Sequence, residues 1–111
     1  MNLTNLISAL IAVESGGNDL AIGDGGRAIG PLQIHRCVVE DVNKRFRTHY
    51  VHGRMTNRTE AVEVFTRYVR IYAPKNATAE QIARIHNGGP SGHKKSATLG
   101  YWRKVKKEME K

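Results

Sequence analysis

Two carboxylates stand where their surroundings would give them different protonation states. Leu3, Leu6, Ile7, Leu10 and Ile11 form one apolar stripe at helical spacing, and the next position on it is Glu14. Ser15-Gly16-Gly17 then ends the helix, so the Glu14 carboxyl is expected in the last turn, half against the core and half facing a glycine-rich loop. Apolar surroundings disfavour a charged carboxylate and move its pKa toward neutrality, as a general acid requires. Asp24 lies in a solvated Gly23-Asp24-Gly25-Gly26 turn that leaves a carboxyl ionised, although Asp before Gly-Gly also suits a turn with no chemistry. A protonated and an ionised carboxyl are the two forms that paired-carboxyl acid–base chemistry uses. Asp19, just past the helix end, is the reserve for the second role.

Other groups carry weaker chemistry. His49 and His52 are the one close histidine pair, with no cysteine or carboxylate in register, so neither a metal nor another cofactor is expected. Ser91 or Ser96 with His93 lacks a nucleophile elbow and an orienting acid. In His86-Asn87-Gly88-Gly89, the glycines allow a ligand close to the backbone, and Asn87 offers it a donor and an acceptor; the same residues also suit a helix end. Tyr68, Tyr72, Tyr101 and Trp102 read mainly as core, with Tyr101 alone assigned to a cleft.

The elements that must position these groups are mostly helical. The pattern predicts a helix from about Thr4 to Ser15, then a hairpin over Ala21–Ile29 around Asp24-Gly25-Gly26. Pro31 is expected to open a second helix reaching Phe46 or Arg47, with Leu32, His35, Val38, Val39, Val42 and Phe46 on its inner side. A connection over residues 48–58 leads to a third helix from about Thr59 to Tyr72, stopped by Pro74. Thr78-Ala79-Glu80-Gln81 is a capping box for a short fourth helix through Ile82, Ile85 and His86. The segment Asn87–Gly92 is too rich in Gly and Pro to continue it, and a last helix starts near Thr98 and ends among lysines. The fold class is α+β, mainly helical, with about five helices and one small β-hairpin.

A chain of 111 residues has room for one modest core. Its net charge of +8 attracts polyanions, whether nucleic acid, an anionic membrane or an anionic wall polymer. The basic residues are spread over several helices without a nucleic-acid motif, so no specific nucleic-acid partner is expected. The single Cys37 cannot form an internal disulfide. No stretch is long enough to span a bilayer, and the first apolar run reads as an amphipathic helix rather than a signal peptide. Asn-x-Thr triplets at Asn2, Asn57 and Asn76 are read as capping and turn residues.

Glu14-Ser15-Gly16-Gly17-Asn18 followed by Ala28-Ile29-Gly30-Pro31-Leu32-Gln33-Ile34 resembles the opening of the lysozyme-like superfamily, which includes lytic transglycosylases and goose-type lysozymes. Ala83-Arg84-Ile85-His86-Asn87-Gly88-Gly89-Pro90-Ser91-Gly92, then Ala97-Thr98-Leu99-Gly100-Tyr101-Trp102-Arg103-Lys104-Val105, is similar to the C-terminal part of invertebrate-type, or destabilase-type, lysozymes. The resemblance implies one lysozyme-like catalytic domain over residues 1–111. It would be a monomer cleaving the β-1,4 bond between N-acetylmuramic acid and N-acetylglucosamine in peptidoglycan. It implies Glu14 as general acid and Asp24 as second carboxylate, although the spacing from Asp24 to Gly30-Pro31 is one residue shorter than in that family. Gln33, Ile34, His86, Asn87 and Gly88 would line the sugar cleft, and Tyr101 would close its far side.

The family is cysteine-rich, and His93 stands where it usually has Cys; a disulfide-free bacterial or phage-like relative is implied, acting at the wall after phage-type release or as a processed secreted form. The rival readings are a lytic transglycosylase using Glu14 alone and a non-catalytic wall-binding module. Isopeptidase activity, credited to some family members, is not assigned.

Overall fold

A computed structural model describes residues 3–111; the Asn2 triplet lies outside the described residues. Among the described residues five α-helices and a two-stranded antiparallel sheet occur in the order α1 (Thr4–Ser15), β1 (Ile22–Gly23), β2 (Ala28–Ile29), α2 (Arg36–Phe46), α3 (Arg58–Tyr72), α4 (Ala79–Gly88) and α5 (Leu99–Met109). The chain forms two compact units, one comprising residues up to Val13 with Tyr72–Lys111, the other Glu14–Ile71.

In the first unit α1 buries Leu6, Ala9, Leu10 and Ile11. The capping box of α4 is present, with the Thr78 hydroxyl accepting from the Gln81 N–H and the Gln81 side chain accepting from the Thr78 N–H. The helix buries Ile82, Ala83 and Ile85. It also runs two residues past His86, contrary to expectation. A Cβ on Gly88 would stand 2.6 Å from the Thr98 methyl, and the Lys95 ammonium donates to the Gly88 carbonyl at 2.8 Å, so tertiary contacts hold Asn87 and Gly88 helical. Arg84 gathers the turns before α5, donating to Glu80 at 2.8 Å, to the Thr98 hydroxyl at 2.8 Å and to the Lys95 carbonyl at 2.9 Å. Gly92 must be glycine, since its Cβ would lie 2.0 Å from the Arg84 carbonyl oxygen.

In the second unit the hairpin pairs Ile22 with Ile29 and Gly23 with Ala28, and Asp24–Gly26 form a short 3-10 turn between them. The second helix begins later than Pro31 leads one to expect. Residues 30–33 make a tight turn, with the Gln33 N–H donating to the Gly30 carbonyl at 3.0 Å and Gln33 at a φ of +51°. Ile34 bridges back to Ile29, and only then does α2 start, at Arg36. Leu32 is buried as expected, but from the turn; His35 is half-exposed, not an inward residue of the helix. A left-handed Arg47 caps α2, and Asn43 ties down the following segment through the Tyr50 carbonyl and N–H, both at 2.9 Å. The connection contains a 3-10 segment, His52–Thr56, that buries His52 and Met55. Helix α3 starts within a residue of the expected position and buries Ala61, Val64, Phe65, Tyr68 and Val69.

Candidate active site

Glu14 follows Leu6 and Leu10 at four-residue spacing on α1 and is half-buried, as its place on the stripe implies. Gly16 and Gly17, with φ of +62° and +86°, break the helix immediately after it. Ser15 anchors this end, its hydroxyl donating to the Pro31 carbonyl at 2.9 Å. The end of α1 is therefore tied to the turn that follows the hairpin.

That turn is braced from inside. Gln33 Nε2 donates to the carbonyls of Ala21 at 3.1 Å and Gly30 at 2.9 Å, while the Gly30 N–H donates to Ala21 at 2.8 Å. Gln33 Oε1 occupies the space where a Cβ of Gly23 would be, 2.3 Å away. The Gln33 amide nitrogen thus holds hairpin and turn together. Ile34, expected along the groove, is 1% exposed, so its side chain belongs to the core; its carbonyl accepts at 2.7 Å from His52 Nε2. A carbonyl can only accept, which fixes the proton of that imidazole on Nε2. His52 lies in a stretch without periodicity, and nothing local marks it as the support of a strand bridge.

The two candidates for second carboxylate differ in their partners. Asp19 Oδ1 accepts from Arg58 Nε at 2.6 Å, and Arg58 also donates to the Gly17 carbonyl at 2.9 Å, so this aspartate closes the loop after α1. Asp24 is exposed at the hairpin tip with a φ of +50°, and its Oδ2 lies 3.6 Å from His35 Nε2. The pairing of His35 with Asp24 has no sequence signature, because it needs the turn at 30–33 to bring the start of α2 beside the hairpin. A pocket of about 290 Å³ opens here, lined by Gly26, Arg27, His35, Arg36, Cys37 and His52.

In the other unit His86, Asn87 and Gly88 form the last turn of α4, capped by Gly89 at a φ of +88°, whose N–H donates to the Ile85 carbonyl at 2.8 Å. Asn87 is exposed; His86 and Tyr101, the latter in the first turn of α5, are half-buried. His93 Nδ1 is buried without a hydrogen-bond partner and bonds neither Ser91 nor Ser96, so no serine–histidine dyad exists among the described residues. No group of three or more His, Cys, Asp or Glu side chains among the described residues is placed to hold a metal ion.

No protein-family model matches the chain. Among curated proteins, invertebrate-type lysozyme 6 of Caenorhabditis elegans is 70% identical over 27 residues, covering 24% of this chain and 20% of that protein. A lysozyme of Ostrea edulis is 41% identical over 51 residues, 43% of this chain and 37% of its own. The chain therefore matches well under half the length of these relatives. Among solved structures, the complex of Aeromonas hydrophila PliI with Meretrix lusoria lysozyme superposes with a TM-score of 0.80 at 28% identity, over 94% of this chain and 88% of that one. Inhibitor-bound lysozyme from Meretrix lusoria gives 0.75 at 27% identity over the same shares. The fold is lysozyme-like, α+β and mainly helical. The chain is related to the invertebrate-type lysozymes.

Proposed function

We propose that the protein is a muramidase, its residues 1–111 acting as one catalytic domain that cleaves the MurNAc–GlcNAc β-1,4 bond of peptidoglycan. The observation that carries this reading is a half-buried Glu14 at the broken end of α1, tied through Ser15 and Pro31 to the turn behind the Asp24 hairpin, in a lysozyme fold. Glu14 donates its proton to the glycosidic oxygen as the bond to the leaving sugar breaks, an ionised Asp24 stabilises or captures the positive charge that develops on the ring, and water then adds to the anomeric carbon, its proton passing to the Glu14 carboxylate. With Asp19 engaged by Arg58, Asp24 is the better candidate for that second role. Asn87, Gly88 and Tyr101 supply sugar contacts, with His86 beside them, while Gln33 and Ile34 act by holding the hairpin. The charge of +8 concentrates the enzyme on an anionic wall in a salt-dependent way. The wall is its place of action.

Mass spectrometry of purified peptidoglycan treated with wild type and Glu14→Gln tests this. The wild type is expected to release hydrated muropeptides, and the variant to release none while unfolding at the same temperature. Soluble products from Glu14→Gln at the wild-type rate would remove Glu14 from the mechanism. Wild-type products lighter by one water would identify a single-acid transglycosylase, and wall binding with no release would leave only a binding module.

A further inference from the structure

We propose that the pocket beside the hairpin binds a carboxylate, supplied in the wall polymer by the lactyl group of N-acetylmuramic acid or by the peptide stem. The source rests on the muramidase reading; the binding chemistry does not. The pocket is lined by two guanidinium groups, Arg27 and Arg36, and by two imidazoles that already have partners, His35 beside Asp24 and His52 on the Ile34 carbonyl, with no carboxylate among its lining residues. Neither Arg27 nor Arg36 has a carboxylate within ion-pairing distance, which is true of most arginines among the described residues; what distinguishes these two is that they line one pocket.

The backbone points the same way. Arg36 and Cys37, which line the pocket, begin the eleven-residue α2, whose first turn contains no acidic residue and whose N-cap His35 makes no side-chain capping bond. Val38 N–H already donates to the His35 carbonyl at 3.1 Å, and the partial positive charge at the start of the helix favours an anion there. Asp24, paired with His35 at 3.6 Å, sits at the edge rather than in the lining, so a carboxylate bound at the guanidinium groups would put the attached sugar next to the hairpin. Planar guanidinium groups suit a carboxylate, which they can grip by paired N–H donors.

Cys37 reports on the pocket because it is the single cysteine of the chain, exposed, and part of the lining. The measurement is its rate of alkylation by anionic iodoacetate divided by its rate with neutral iodoacetamide, normalised to glutathione. Attraction by the two guanidinium groups is expected to raise this ratio roughly threefold to tenfold. It should fall to the glutathione value in the doubly substituted Arg27→Gln, Arg36→Gln protein and stay high in Arg103→Gln, which loses an exposed charge on α5. N-acetylmuramic acid or an alanyl-glutamate stem peptide should slow the alkylation and N-acetylglucosamine should not; whichever carboxylate protects at the lower concentration identifies the source. A ratio equal to that of glutathione, a ratio indifferent to the double substitution, or equal protection by N-acetylglucosamine would overturn the proposal. Turnover is not needed, so an inactive protein that still shows protection refutes the muramidase reading alone, and an active one without it refutes the pocket alone.

Discussion

Replacing Gly30 with alanine tests the frame behind the hairpin, and Gly25 supplies the control. Both have left-handed φ, +87° and +63°, so either substitution carries the conformational penalty of about 1 kcal/mol that a side chain incurs there. At Gly25 a new Cβ has nothing within 4 Å; at Gly30 it would stand 1.7 Å from the Met55 carbonyl oxygen and 2.5 Å from its carbon. Backbone meets backbone, so one segment must move. The displaced turn carries the Gly30 N–H bond to Ala21 and two bonds from Gln33 to the Gly30 carbonyl. Losing two of these at about 1 kcal/mol each, added to the conformational term, puts Gly30→Ala at roughly 3 kcal/mol. Gly25→Ala stays near 1 kcal/mol. For a chain this long each kcal/mol lowers Tm by about 4–6 °C, giving drops of roughly 15 °C and 5 °C. Thermal unfolding followed by far-ultraviolet circular dichroism reads both. Equal drops would show that the approach of residue 30 to the Met55 backbone is not as described. The same movement loosens the Pro31 carbonyl from Ser15, so wall lysis per folded molecule should fall in Gly30→Ala and persist in Gly25→Ala.

Asp19→Asn should cost at most about 1 kcal/mol, because its pairing with Arg58 is half-exposed, and should keep most of the lytic rate. Asp24→Asn should keep the Tm and lose most of the rate; if turbidity assays on wall suspensions show the reverse, Asp19 is the second carboxylate. At Tyr50, burial first and the hydrogen bond to Glu63 second raise the phenol pKa above its ordinary value of about 10. The folded state therefore favours the neutral phenol, giving stability that is full below pH 10 and declines as pH rises through the folded pKa. Tyr50→Phe should be less stable at neutral pH and should close that gap above pH 10; urea titrations giving the same gap at both pH values would refute the assignment.

Elements with local causes were legible. The row Leu6, Leu10, Glu14 ended by two glycines defines α1, the Asp24-Gly25-Gly26 turn defines the hairpin, and Thr78 with Gln81 starts α4. Pro31 misled because a proline after glycine suits the first turn of a helix and equally a tight turn. The choice falls to a bridge from Ile34 back to Ile29 and to the buried His52, eighteen residues further on, which holds the Ile34 carbonyl. Asn87-Gly88 reads as a helix stop, yet Thr98 and Lys95 keep it helical.

The carboxylates show the same division. Sequence by itself put Glu14 on an apolar helix row and Asp24 in a glycine turn, since both follow from the period of a helix and the φ demands of a tight turn. Tertiary structure alone decided that Asp19 is spent on Arg58, 39 residues away, that His35 faces Asp24, and that Arg27 and Arg36 share a pocket without an acidic partner. Side-chain charges reach only a few ångströms before water screens them, so their pairing depends on which distant segments the core brings side by side.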